Sequence, residues 1–153
     1  MGEDRRWLEQ AVAQARAGRD EGGIPIGAAL VAEEQVLGLG RNRRVQLGSA
    51  IRHGETDALE NAGRQPAAIY ARSTMYTTLS PCPMCSGAIL LYGIPTIVIG
   101  ENQTFRGDED LLRSRGVAVR VLQDASCLRL MSDFIRAHPE LWNEDIGERG
   151  TTE

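Results

Sequence analysis

The sequence predicts an α/β protein, a three-layer α/β/α sandwich built on one five-stranded mixed sheet. Two observations carry that expectation: short β-branched or apolar runs bounded by turn residues, and longer stretches between them whose apolar residues recur at helical spacing. A third observation sets the strand directions. The first two strands lie close enough in sequence for an antiparallel hairpin, while the last two are separated by a helical stretch and call for a parallel crossover.

The elements follow in order. RRWLEQAVAQARA, residues 5–17, places Trp7, Leu8, Ala11, Val12 and Ala15 on one helical face, with Gly18 as the expected stop. Turn residues then lead into a compact apolar strand from Ile26 to Ala32, and VLGLGRNR is its hairpin partner. GETDALENAGR reads as a short helix closing on Asn61 or Gly63, and STMYTTLS as a buried strand that delivers the chain to Cys82. PCPMCSGAILLYG forms the next helix, with prolines at its start, where missing donors cost little, and Gly93-Ile94-Pro95 at its end. TIVIGEN and VAVRVLQ are strands joined by the helical DEDLLRSRG; a last helix runs from about Ala125 to His138, and a polar tail carries Trp142, Glu144 and Asp145. The count is five strands and five helices.

With 153 residues, 42% of them hydrophobic and 25% charged, the chain reads as a single domain, 1–153, able to bury a core without disulfides. It contains no apolar run of the roughly 20 residues a membrane span requires, and MGEDRRWLEQ lacks a signal-peptide core, so the expected setting is cytoplasmic with no membrane partner. Three cysteines are an odd count for a secreted disulfide framework. A net charge of −4 argues against nucleic acid as the main partner. Arg41, Arg43, Arg44 and Arg52 do cluster in sequence, and they read as solvated or paired.

The chemistry concentrates between His53 and Cys85. His53-Gly54-Glu55 is H-x-E, and Pro81-Cys82-Pro83-Met84-Cys85 is P-C-x-x-C. One imidazole and two thiols supply three zinc ligands and leave a fourth position for water, the arrangement of catalytic zinc rather than structural zinc. Cys82 and Cys85 sit at i and i+3 near a helix start, where free N–H groups and the helix dipole favour the thiolate that binds metal. Glu55 is placed to reach the water. The plainer alternative is a closed structural site, for which Cys127 and His138 are the remaining ligand candidates; Cys127 falls on an apolar helix face, as a small core residue would, and His138 precedes Pro139 at a helix end. No Rossmann or Walker pattern occurs.

These words, together with EGG-x-PIG, G-x-N-x-R-x-Q-x-GSA, LEN-x-GR, YTTLSPC-x-MC-x-GAI, YGIP, GEN and EDIGE, cover most of the chain. It resembles the cytidine-deaminase superfamily, specifically the fungal-type cytosine deaminases, whose zinc signature is H-x-E with P-C-x-x-C. The resemblance implies one zinc per chain held by His53, Cys82 and Cys85, with Glu55 as proton shuttle. It implies substrate contacts from Asn42, the backbone of Gly54, Asp145 on the exocyclic amine, the aromatic walls Phe105 and Trp142, and Ile26. Residues from about 140 to 153 become a pocket-capping tail, and the assembly a homodimer. By their residue types alone, Asn42 reads as a turn residue and Asp145 as part of a solvated acidic tail.

The activity implied is hydrolysis of cytosine to uracil and ammonia, in pyrimidine salvage, with a free nucleobase as partner. Asn143 departs from the family, which carries a second aromatic there, and that departure leaves isocytosine, guanine or a nucleoside as alternatives. A tRNA adenosine deaminase shares the zinc words but needs a basic surface, and a non-catalytic zinc-stabilised module needs no Glu55.

Overall fold

A computed structural model describes residues 2–149. In chain order these form α1 (Gly2–Asp20), β1 (Gly27–Ala32), β2 (Gln35–Arg41), α2 (Arg44–Leu47), α3 (Gly54–Ala62), α4 (Ala67–Tyr70), β3 (Ser73–Leu79), α5 (Pro83–Tyr92), β4 (Thr96–Glu101), α6 (Glu109–Ser114), β5 (Ala118–Val121), α7 (Ala125–Ala137) and α8 (Pro139–Asp145). The five strands make one sheet in the order β2-β1-β3-β4-β5. β1 is antiparallel to both neighbours, and β3, β4 and β5 are parallel, so the sheet is mixed as expected.

Alternation along the strands builds the layers. Ala28, Leu30, Met75, Ile97 and Ile99 point to one face, where they pack with Ala58 and Ala62 of α3, Ile89 of α5 and Leu112 of α6. Their neighbours Ala29, Val31, Tyr76 and Val98 point the other way and pack with Trp7 of α1. Leu8, Ala11, Val12 and Ala15 of α1 meet Cys127 and Leu130 of α7 on that same side. Helices therefore cover both faces, the condition under which strands this apolar are stable in water.

Three local departures from the sequence reading have physical causes. First, α1 passes through Gly18 and stops only where Gly22 takes φ +87, with Gly23 N–H returning to Gly18 O at 2.8 Å. A helical glycine costs only about 1 kcal/mol, too little to end a helix whose face is buried along its length. Second, one-turn helices α2 and α4 appear in segments too short to show a period. Third, the segment expected as a polar tail is helical: Pro139 occupies its first turn, and Trp142 joins a cluster with Ile24, Ile26, Leu79, Met131 and Phe134. The described residues thus hold eight helices rather than five.

β1 runs opposite to β2 and β3, so its start meets the carboxyl ends of β2, β3 and β4 at one edge of the sheet. That edge gathers Ile26, Asn42, Ser80 and Glu101, and it is where open α/β sheets bind ligands.

Candidate metal centre and active site

Two helix starts meet at this edge. His53 caps α3 in extended conformation, its own N–H donating to Thr56 Oγ1 at 2.9 Å. Cys82 caps α5, its sulfur accepting the Cys85 N–H at 3.5 Å, with Pro83 in the first turn. α3 reaches its place because β2 carries glycine at Gly38 and Gly40, where the helix crosses it. A Cβ on Gly40 would come within 2.6 Å of Gly54 O, and one on Gly38 within 2.6 Å of Ala62 N, so the helix lies directly on the strand backbone.

The three donors His53, Cys82 and Cys85 lie within 4.8 Å of one another, the one such cluster of metal-binding type among the described residues. His53 Nδ1 is 3.4 Å from Cys82 Sγ and 3.8 Å from Cys85 Sγ. A tetrahedral zinc ion with ordinary Zn–N and Zn–S bonds would set those edges at about 3.6 Å, so the donor set fits zinc in type and spacing. The other ring nitrogen, Nε2, lies 3.5 Å from Asp145 Oδ1, a carboxylate placed to orient the ligating imidazole.

The four titratable groups of the site are shifted in different directions. The Cys85 thiol, with help from His53 and the Cys85 amide, lowers the Cys82 thiol to about 4, so Cys82 is a thiolate. Cys85, hydrogen-bonded to that thiolate and buried, is pushed upward. Burial alone would depress His53, but its contact with Cys82 and the negative charge of Asp145 outweigh burial and raise it. Burial pushes Glu55, which is 3% exposed, up to about 7, with the Cys82 thiolate adding to the rise. A metal held here would displace the proton of the Cys85 thiol.

Above the donors lies a small cavity lined by Ile26, His53, Glu55, Leu79, Ser80, Cys82, Phe105, Trp142, Asp145 and Ile146. Its volume of about 20 Å³ holds one water. Phe105 and Trp142 meet edge to face with centroids 5.8 Å apart. α8 presents Trp142, Asp145 and Ile146 to the cavity, a helical i, i+3, i+4 face. Asn143 lies outside that face and is absent from the lining. Asn42 and Gly54 are not among its lining residues. Asn42 is fully buried, its Oδ1 accepting from Arg44 N–H at 3.1 Å and its Nδ2 donating to Asp145 at 2.9 Å. Residues 150–153 of the expected cap lie outside the described residues.

The sequence reading omitted Leu79, Ser80 and Ile146. Leu79 and Ser80 were recoverable as the strand end preceding Cys82; Ile146 carried no cue until its helix was known. Ser80 is held by donating to Glu109 at 2.6 Å and accepting from Gly107 N–H at 2.9 Å. Cys127 is fully buried under β4 and His138 joins α7 to α8, so neither belongs to the donor cluster.

Comparison with known proteins agrees with this geometry. The family model for the cytidine and deoxycytidylate deaminase zinc-binding region matches residues 1–101. A cytosine deaminase of Candida albicans is 53% identical over 147 residues, covering 95% of this chain and 98% of that protein. A tRNA-specific adenosine deaminase of Streptococcus pyogenes is 32% identical over 140 residues, covering 85% of this chain and 88% of that one. Among solved structures, a guanine deaminase from Nitrosomonas europaea superposes with a TM-score of 0.67 at 23% identity, covering 84% of this chain and 82% of that one, and shares the fold. Fold and site together define a zinc-dependent hydrolase acting on a C–N bond. The chain belongs to the cytidine and deoxycytidylate deaminase family.

Proposed function

We propose that this protein deaminates free cytosine to uracil and ammonia. One observation carries the choice of a free base: the metal site is roofed by the chain's own α8, whose Trp142 and Asp145, with Ile146 just after it, line the same cavity as His53, Glu55 and Cys82. The 53% identity to a cytosine deaminase points the same way. The arginines clustered beside the site are already paired with carboxylates. Arg41 pairs with Glu21 at 2.8 Å, Arg43 and Arg52 with Asp57, and Arg44 approaches Glu144 and Asp145 at 3.6 and 3.5 Å.

His53, Cys82 and Cys85 are assigned as the zinc ligands. Zinc held there supplies Lewis-acid activation of a water in its fourth position. Glu55 takes a proton from the attacking water and gives it to the ring nitrogen beside the carbon under attack, then takes the proton of the hydroxyl newly attached to that carbon and gives it to the departing amine as the carbonyl forms. A C–O bond forms and the C–N bond breaks, so water and cytosine leave as uracil and ammonia. Asp145 accepts from the exocyclic amine, and Asn42 aims that carboxylate through its 2.9 Å hydrogen bond. Gly54 offers backbone beside the ring, while Phe105, Trp142 and Ile26 clamp its faces. The cavity of about 20 Å³ is smaller than a pyrimidine and adjoins an open cleft of about 290 Å³ that shares His53, Cys82, Asp145 and Ile146 with it, so this wall has to yield for the ring to enter and for product to leave.

The chain is further assigned as a cytoplasmic homodimer serving pyrimidine salvage. No helix of the described residues is long and apolar enough to cross a membrane. Supporting a second copy, α5 carries no charged residue from Pro83 to Tyr92, yet leaves Leu91 75% and Tyr92 43% exposed.

The test is an ammonia-release screen over free bases, nucleosides and RNA hairpins at matched concentration. Cytosine is expected to give the highest kcat/KM, cytidine a poor one and RNA none; a preference for a nucleoside or RNA overturns the reading. His53→Ala and Cys82→Ala are each expected to lose the single zinc.

A further inference from the structure

Five donors converge on one carboxylate that the proposed reaction does not use. Asp57 is fully buried on α3, one turn beyond His53. Its Oδ2 accepts from the backbone N–H of Arg41 at 2.9 Å, from Arg43 Nε at 3.0 Å and from Asn61 Nδ2 at 3.4 Å. Its Oδ1 accepts from Arg52 Nε at 2.8 Å and Arg52 Nη2 at 2.5 Å. The donors' positions give the cluster its meaning. Arg41 and Arg43 flank Asn42, and Arg52 immediately precedes His53.

The intervening chain, residues 43–52, leaves the end of β2 and returns to the start of α3. Its two ends are joined by Arg43 N–H donating to Arg52 O at 2.9 Å, the form of a compact surface loop with a closed base. Asp57 sits under that base and holds both ends. Asn42 at one end grips Asp145, and His53 at the other faces Asp145 through Nε2 and the two cysteines through Nδ1.

We propose that Asp57 is a positioning residue, which by clamping Arg41, Arg43 and Arg52 fixes Asn42 and His53 relative to each other and so aligns the base-recognition arm with the metal arm of the site. The inference rests on the proposed deaminase reading for its substrate half and on the metal cluster for the other. A buried ion pair is weak evidence for stability, since apolar residues of similar volume often serve as well. Its product here is geometry: a buried carboxylate with every lone pair occupied cannot slide, and misplacing a positioned group by about 1 Å is enough to cost a hundredfold in rate.

The experiment compares wild type, Asp57→Asn, Arg52→Gln and the double variant. Zinc affinity is measured by competition with a chromogenic chelator, kcat and KM by ammonia release from cytosine, and Tm by thermal unfolding. Asp57→Asn presents amide N–H groups to the guanidinium groups and loosens the base of the 43–52 loop that ends at His53, so zinc affinity is expected to fall by about tenfold. KM for cytosine is expected to rise at least about tenfold while kcat changes by less, because Glu55 stays in place. The double variant is expected to be no worse than Asp57→Asn, since both act through one network. Arg52, whose side chain is 30% exposed, can be replaced with the other contacts intact, so Arg52→Gln carries the test in the same direction should Asp57→Asn fail to fold. Folded variants with wild-type zinc affinity and wild-type KM but a lowered Tm overturn the proposal. A wild type inert toward cytosine overturns the deaminase reading alone, and chelator competition still decides the clamp.

Discussion

Asn42 donates its side-chain amide to Asp145 at 2.9 Å across 103 residues of sequence, joining the end of β2 to α8. The same Asp145 oxygen lies 3.5 Å from His53 Nε2 and 3.5 Å from Arg44 Nη1, so one carboxylate meets the substrate side, the metal side and the cap. Replacing it with alanine is expected to keep the fold, to weaken zinc binding by roughly ten- to a hundredfold through loss of the partner of the ligating imidazole, and, with zinc saturating, to lower kcat/KM on cytosine by about ten- to a hundredfold, the worth of a charge-assisted hydrogen bond of about 1.5–3 kcal/mol. Asp145→Asn should fall between. Steady-state kinetics with metal analysis in parallel checks both, and full activity of the alanine variant would remove Asp145 from the site.

Glu55 separates proton transfer from metal binding. Glu55→Gln keeps a side chain of the same shape at a buried position and alters none of the ligands, so zinc content should remain at one per chain while kcat drops at least about a hundredfold. Stripping zinc from wild type with a chelator should abolish turnover, and readdition should restore it. Cys127→Ala should retain zinc throughout, because its side chain packs beneath Gly100 of β4 and away from the donors.

The cap is testable by deletion. A chain ending before Leu141 lacks Trp142, Asp145 and Ile146, three lining residues of the cavity, but retains the sheet and the donors. It is expected to fold, to hold zinc and to lose turnover on cytosine; circular dichroism, metal analysis and ammonia release read the three properties separately. Wild-type kinetics after truncation would show that α8 plays no part in the pocket.

Gly40 tests whether α3 is set by its close approach to β2. A methyl group there falls within 2.6 Å of Gly54 O, with backbone rather than flexible side chain in its way. Gly40→Ala is expected to destabilise by about 1–3 kcal/mol, the cost of overpacking, and to weaken zinc binding because His53 and Glu55 ride on the displaced helix. Chemical denaturation and chelator competition measure the two effects.

The clearest acid dependence away from the metal lies at Asp4. The Arg120 guanidinium, bonded at 2.8 and 3.0 Å, holds its carboxyl below the ordinary 3.8. A folded-state pKa below the unfolded one means stability present above pH 3.8 and lost as pH falls through the lower, folded value. Arg120 is 51% exposed and solvent-screened, so Asp4→Asn should cost about 0.5 kcal/mol at pH 7, roughly 1–2 °C in Tm. The difference from wild type should close at the acid end of a Tm series.

The short-range pattern determined much of this protein. The β-branched runs and their turn residues identified all five strands, because alternation is written into neighbouring residues. The words around His53 and Cys82 identified a metal site because cap geometry is local: the spacing that puts Cys82 before α5 also turns the Cys85 N–H onto its sulfur. Tertiary structure decided what spacing cannot encode. Seven residues, Pro139–Asp145, are under two helical turns, too few to reveal a period, so α8 and its cavity-facing side emerge only when Trp142 finds the cluster around Ile24 and Met131. Likewise nothing near Arg43 or Arg52 says whether their charges are free or committed. That was decided by Asp57, fully buried with its partners drawn from both ends of the 43–52 loop, because a carboxylate leaves water only where the folded chain brings enough donors to replace it.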